Sequence, residues 1–303
     1  SLKTPRQHKQ ELKNNGFTIV QRLFAAEAQM LKAQVSHAED EQQKNPDDTQ
    51  WTKPDGMPKL QVRVGQVMSL SEEILNASCH PLITGLLSKV VGPNFRCATF
   101  SANTLLQQDS NDPEDTGLGW HVDYPYHDLD PGYWGEVDSP LGVQVLICLD
   151  EFTSANGGTM FRTNTHKLLK SPDYVFDTPA PDGVFCCEQL GRLKTPDGAP
   201  DGYVPDCNIT KYHPCPPGSV LIAHSAWWHR QVRNVDSCGG EHPRRRTALL
   251  GNYTPGHVVP KGDMSAVWRE IQRRGWKLPP IAKQLCLGSY ERGVCKSNKH
   301  KKT

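Results

Sequence analysis

Apolar residues recur along the chain at two different spacings, and the change from one to the other divides it. Over residues 25–42 they fall at Ala28, Leu31, Val35 and Ala38, the three-to-four-residue spacing of a helix with one buried face. Residues 4–13 predict a shorter helix, with Pro5 in its first turn and Asn15-Gly16 as its stop, before a strand at Phe17-Thr18-Ile19-Val20. Ser71-Glu72-Glu73-Ile74 reads as a helix start, a capping hydroxyl followed by acidic residues, and another helix is expected over 81–92. Residues 1–93 are therefore expected to form a mainly helical support.

After Asn94 the pattern shortens, and the runs 95–106, 142–149, 218–223 and 247–253 are strand-like. Gly and Pro cluster over 172–217, with Asp182-Gly183, Asp197-Gly198 and Pro216-Pro217-Gly218 as turn signals. So long a stretch without periodicity predicts a functional loop, a cover over a site. Short strands joined by turn-rich connections predict a mainly β core with flanking helices (α+β), a jelly roll or barrel over 94–256. The whole chain, 1–303, reads as one domain, with 257–303 as a C-terminal extension ending in a basic tail from Lys296 to Lys302.

Charge narrows the choice of partner. With 34 basic and 33 acidic side chains the net charge is +1, which leaves no general field for nucleic acid or an anionic membrane, so a small-molecule partner is expected. Ten cysteines without a Cys-x-x-Cys spacing exclude a zinc ribbon or redox motif and favour a reducing compartment. No apolar run approaches the ~20 residues of a membrane span, and an intracellular, cytoplasmic location is expected. Oligomeric state is not written in the sequence.

Candidate chemistry begins at Trp120-His121-Val122-Asp123, where an imidazole and a carboxylate stand two positions apart. In an extended strand such residues project from one face, so both can reach one metal ion. One such pair is expected by accident in a chain with 12 histidines, and the weight comes from a third residue. His229 lies 108 positions on, just after the apolar run Val220-Leu221-Ile222-Ala223. Two histidines and one carboxylate leave the opposite side of an iron ion open, the arrangement of non-haem Fe(II) oxygenases. Arg246, 17 positions further, opens the apolar run Thr247-Ala248-Leu249-Leu250, where a guanidinium must be paired. Its planar fork suits a carboxylate.

The ordered series of these segments resembles the phytanoyl-CoA dioxygenase (PhyH) family. Leu12-Lys13-Asn14-Asn15-Gly16-Phe17 is similar to its helix, glycine and strand opening, and Trp120 to Asp123 to its iron motif. Asn156-Gly157-Gly158-Thr159 and Asn164-Thr165-His166-Lys167 resemble its Asn-Gly turn and its Gly-Ser-His-Lys segment. Pro217-Gly218-Ser219-Val220-Leu221-Ile222-Ala223-His224, then His229, Asn234 and Arg246, follow its distal motif, and the likeness runs from about Leu12 to Tyr253. The resemblance implies a double-stranded β-helix (jelly roll, cupin-like). It implies Fe(2+), 2-oxoglutarate as cosubstrate and O2, and oxidation of a small molecule with release of succinate and CO2. The ligands would be His121, Asp123 and His229, with Arg246 on the far carboxylate of 2-oxoglutarate. His229 is selected over His224 because the family ligand stands five positions after the strand end, while His166 would be structural and His127 substrate-facing or solvated.

Many members carry Gly-Ser-Gly after the distal ligand, where Arg230-Gln231-Val232 stands here, so Gln231 is the expected substitute donor. Gln144, polar in an apolar strand, is a further candidate for the cosubstrate pocket. Tyr124, Tyr126 and Trp227, beside the ligands in sequence, are candidates for a substrate wall. A hydroxylase is expected, because related halogenating enzymes replace the carboxylate at Asp123 with a small residue. Two alternatives stay open: a non-catalytic binding member of the same fold, and a cupin-like metalloenzyme without oxygen chemistry.

Overall fold

The computed structural model describes residues 3–44, 61–106, 121–153, 156–162, 164–169, 209–210, 215–231, 234 and 245–288. Most of the 172–217 stretch and the basic tail fall outside these residues.

Helix α1 (Pro5–Asn15) is closed at both ends by its own sequence. Thr4 and Gln7 form a reciprocal capping box, and Gly16 ends the helix in the left-handed region at φ 84°. Strand β1 (Phe17–Val20) follows, then α2 (Ala28–Gln43), whose Leu31 and Val35 are fully buried. Each such side chain contributes roughly 1.5–3 kcal/mol on burial. Strand β2 (Gln61–Val64), α3 (Glu72–Ser78) and α4 (Pro81–Val90) complete the first part, and the Ser71 hydroxyl accepts from Ile74 N as its sequence position predicts.

The remaining strands are β3 (Arg96–Leu105), β4 (Val143–Cys148), β5 (Thr159–Arg162), β6 (Ile209–Thr210), β7 (Val220–His224), β8 (His229–Gln231) and β9 (Arg246–Thr254). They form two antiparallel sheets, one of six strands in the order β1-β7-β4-β9-β3-β2 and one of three in the order β6-β5-β8. The four runs expected to be strands are β3, β4, β7 and β9, each within a residue or two of its expected bounds. Not expected were β2, β5, β6 and β8 and two helices, α5 (Met264–Arg274) and α6 (Ala282–Leu287).

Strand alternation sorts the core. Val143, Val145 and Ile147 of β4 join a cluster with Leu31, Val35, Leu86, Val267 and Leu285, so this face of the large sheet lies beneath the helices. Leu146 and Cys148 face the other way, into a second cluster with Phe17, Phe161, Leu221, Trp227 and Ala248 that includes residues of both sheets. β4 is thus covered on both faces, which is why its sequence is nearly continuously apolar. Gly218, at φ 79°, starts β7 where a Cβ would fall 2.4 Å from Ala25 N. Only glycine allows this approach. No helix among the described residues is long and apolar enough to cross a membrane.

Candidate metal centre

His121, Asp123 and His229 come together where the chain turns from β7 into β8. His121 and His229 form an isolated antiparallel bridge, with His121 N–H donating to His229 O at 3.0 Å and His229 N–H to His121 O at 3.1 Å. Asp123 N–H donates to Ser225 O at 2.8 Å, fastening the next turn of backbone to the end of β7. One ligand atom from each of the three side chains lies within 4.8 Å of the other two. Two imidazoles and a carboxylate so placed can hold one divalent cation.

The local hydrogen bonding favours that role. His229 Nδ1–H donates to Trp227 O at 3.2 Å, which directs Nε2 toward Asp123 Oδ2 at 3.0 Å. Fixing one ring nitrogen on a carbonyl selects the tautomer whose other nitrogen is free for metal. Burial pushes the Asp123 carboxyl up, but the neighbouring His229 and His121 more than reverse this and hold it below the usual carboxylate range. Burial likewise lowers His229, and Asp123 outweighs it, leaving the imidazole raised.

The three residues line a cavity of about 220 Å3 together with Arg63, Asn103, Gln144, Thr159, Trp227, Arg246 and Asn252. Asn103 Oδ1, Trp227 Nε1, Arg246 Nε and Asn252 Oδ1 are all buried without a hydrogen-bond partner among the described residues. Unsatisfied buried groups of this kind are costly unless a ligand completes them. Their convergence on one cavity fits a metal with a multidentate anion. Arg246 is 4% exposed and its guanidinium lies 4.2 Å from the centre of the Phe152 ring. No carboxylate lies within ion-pair distance of it among the described residues; the nearby Asp150 pairs instead with Lys32 at 2.6 Å. Burial pulls Arg246 down to about 10, against the opposing charges of Cys148 and Asp150. A carboxylate would restore its balance.

Other expected residues divide. Gln144 and Trp227 line the cavity, and Trp227 also stacks on His229 with ring centroids 5.3 Å apart. Gln231 lies on β8 opposite Thr159, and its side chain is outside what the structure describes. Tyr126 and Tyr124 are not among the described residues that line this cavity. Tyr126 is wholly buried in a separate cluster with Trp134 and Trp228, where its hydroxyl accepts from Leu141 N at 2.8 Å. Tyr124 turns outward, donating its hydroxyl to Val259 O with Lys261 over its ring. The turn after Asp123 carries both away from the ligands. His224 is buried apart from the ligand cluster and its Nδ1 accepts from Ala226 N at 3.0 Å, while His166 Nε2–H donates to Lys13 O at 3.0 Å. His127 is at the surface beside Lys261 and Asp128.

Arg63, Thr99, Ser101, Asn103 and Asn252 were not anticipated. The signal was present, because Thr99, Ser101 and Asn103 put a polar residue at every second position of the strand's middle, with Ala98, Phe100 and Ala102 between them.

Comparison with known proteins agrees with this geometry. The chain is similar in structure to the epimerase SnoN in complex with Fe3+, alpha ketoglutarate and nogalamycin RO, with a TM-score of 0.52 and 13% identity over 83% of this chain and 84% of that one. It is also similar to the non-heme monooxygenase ThoJ in its nickel complex, with a TM-score of 0.50 and 16% identity over 84% and 80%. HygX from Streptomyces hygroscopicus, with nickel and 2-oxoglutarate bound, gives a TM-score of 0.51 at 13% identity over 84% and 88%. At these identities the likeness is one of fold. A sequence search among curated proteins gives no match. The family model described as Phytanoyl-CoA dioxygenase (PhyH) matches residues 12–238, and the chain belongs to that family.

Proposed function

We propose that this protein is a non-haem Fe(II), 2-oxoglutarate-dependent dioxygenase that hydroxylates a small molecule, built as a single domain whose two sheets form a double-stranded β-helix. The observation that carries the reading is the cavity shared by His121, Asp123, His229 and a buried Arg246 that has no carboxylate within ion-pair distance among the described residues. When bound, iron with 2-oxoglutarate and O2 supplies oxidation of an unactivated C–H bond, one oxygen atom entering the substrate and the other succinate, with loss of CO2. His121, Asp123 and His229 would hold the metal. Arg246 would take the far carboxylate of 2-oxoglutarate through its fork. Gln144 and the Trp227 indole N–H are placed to complete the polar contacts of that cosubstrate, and Gln231 stands two positions past His229 as a further donor. Trp227 also fixes the His229 ring from one side, so its loss would loosen the centre as well as the pocket.

The apolar cluster behind Trp227, formed by Phe17, Phe161 and Leu221, keeps bulk water from that side of the site. A non-catalytic role is disfavoured by the retention of all three ligands together with the arginine. A metalloenzyme without oxygen chemistry has no use for an uncompensated guanidinium at the end of the cavity. The test is anaerobic addition of Fe(II) and then 2-oxoglutarate, followed by exposure to O2. Stoichiometric binding of both and conversion to succinate support the proposal; metal binding with no affinity for 2-oxoglutarate would defeat it.

A further inference from the structure

The cavity holds a second arginine that the reading above leaves unused. Arg63 lies on β2, the edge strand of the six-stranded sheet, and lines the same cavity as His121, Asp123 and Arg246. It is half-buried, and its one hydrogen bond among the described residues is from Nε to Ser101 Oγ at 3.3 Å. No carboxylate pairs with it there. Desolvation pulls its pKa down, and the charge that opposes this is that of Asp123.

The two arginines serve different ends of the cavity. Arg246 pairs in register with Leu105 of β3 and Arg63 with Asn103, from where the arm of Arg63 runs on, away from Leu105, to Ser101, the partner of Leu250. Their main-chain levels are two residues apart along β3, roughly 7 Å, to which the arm of Arg63 adds, and β2 lies two strands from β9, roughly 10 Å across the sheet. Asp123 is the group that acts on Arg63, while Cys148 and Asp150 are the groups that act on Arg246, so the two guanidinium groups have different neighbours.

Charge balance then decides what Arg63 is for. Among the described residues, Asp123, Arg63 and Arg246 are the charged side chains lining the cavity besides the two histidines. A divalent metal keeps one positive charge after Asp123 binds it, and the two carboxylates of 2-oxoglutarate cancel that charge and Arg246. Arg63 is left as the unbalanced cation. A half-desolvated guanidinium held, among the described residues, by one hydroxyl calls for an anion with two acceptor oxygens. Gln61, on the same face of β2 and also lining the cavity, offers a neutral amide beside it.

We propose that Arg63 is a second carboxylate-binding residue of this pocket and that the carboxylate it takes belongs to the substrate, which is therefore a small organic acid. This rests on the dioxygenase reading of the site. It makes Arg63 a specificity-determining residue, fixing which carbon of the acid faces the metal.

The test uses the full chain loaded with Ni(II) and saturated with 2-oxoglutarate, so that no turnover occurs. It is titrated with phenylacetate, hexanoate, the neutral phenylacetamide and phenyl phosphate, with binding read by calorimetry and tryptophan fluorescence. Wild type is expected to bind at least one of the two carboxylates, at least tenfold tighter than Arg63→Gln does, with phenylacetamide weak in both and Arg63→Lys intermediate because it keeps charge and loses the fork. The affinity for 2-oxoglutarate is expected to stay within about twofold in both variants, which also certifies their fold. Three results would overturn the proposal: neither carboxylate distinguishing wild type from Arg63→Gln, phenyl phosphate alone doing so, or Arg63→Gln weakening 2-oxoglutarate tenfold, which would assign the residue to the cosubstrate. Failure of wild type to bind Ni(II) and 2-oxoglutarate at all would instead sink the dioxygenase reading.

Discussion

His121 and His229, 108 positions apart in sequence, donate to each other's main-chain carbonyls, so their side chains leave a common backbone bridge on the same side. In such a hydrogen-bonded antiparallel pair the Cα atoms are about 5.5 Å apart, a separation that two imidazoles converging on one ion can close. Removing either ring, or the Asp123 carboxylate, is expected to lower Fe(II) affinity at least a hundredfold, measured by anaerobic titration. His224→Ala is expected to keep metal affinity within a fewfold while losing about 2 kcal/mol or more of stability from the vacated buried site. Normal iron binding in His229→Ala would reverse the assignment.

Arg246→Ala is expected to weaken 2-oxoglutarate at least tenfold with metal content unchanged. Arg246→Lys is expected to recover only part of the loss, since an ammonium cannot supply two parallel hydrogen bonds. Equilibrium dialysis with labelled 2-oxoglutarate distinguishes the three proteins. Equal affinity in wild type and Arg246→Ala would remove the residue from the cosubstrate site.

Two buried histidines outside the metal centre set an acid limit on stability. Burial pulls His166 down to about 4 and His224 to about 3. An unfolded histidine titrates near ~6.5, so below that pH the unfolded chain takes up protons that the folded chain refuses. The stability these groups contribute is therefore complete above about 6.5 and falls as pH drops toward their folded values, by about 1.4 kcal/mol per pH unit for each. Melting temperatures of the metal-free protein between pH 7.5 and 5 should show this slope, and His166→Gln should reduce it. An unchanged slope in that variant would exclude His166 as its source.

Asp123 keeps a carboxylate where halogenating relatives carry a small residue, and the expected product is an alcohol. Turnover of the true substrate under labelled oxygen in excess chloride should place label in a new hydroxyl group and in succinate. A chlorinated main product would refute the hydroxylase reading.

Much of this arrangement is written locally in the chain. Thr4, Pro5 and Gly16 mark both ends of α1, and the apolar runs of β4, β7 and β9 declare themselves because those strands are covered on one or both faces by clusters of buried residues. The ligands were found through their order and their neighbours. Strand β2 escaped because four residues, Gln61-Val62-Arg63-Val64, give too short an alternation to separate from chance. Helix α5 was readable in principle, since Asp263 caps it, Met264, Val267 and Ile271 keep one face, and Gly275 ends it. Tyr124 and Tyr126 were misplaced because adjacency in sequence says nothing about a turn. The main chain at Asp123 and Pro125 accepts from Tyr126 and Asp128, and that turn faces the two rings away from the cavity.

Strand β1 carries a consequence for synthesis. Phe17 pairs with Ala223 and Val20 with Val220, and Gly16 O accepts from His224 N–H, so the N-terminal strand closes onto the segment leading to His229. At ~5–20 residues per second a ribosome needs roughly 10–40 s to make the intervening chain. Throughout that interval a strand whose four residues are all buried in the folded protein has emerged without its partner, as an open edge available to other chains. The yield of folded protein in a host cell should therefore respond to the supply of nascent-chain chaperones, while the activity of each folded molecule should not.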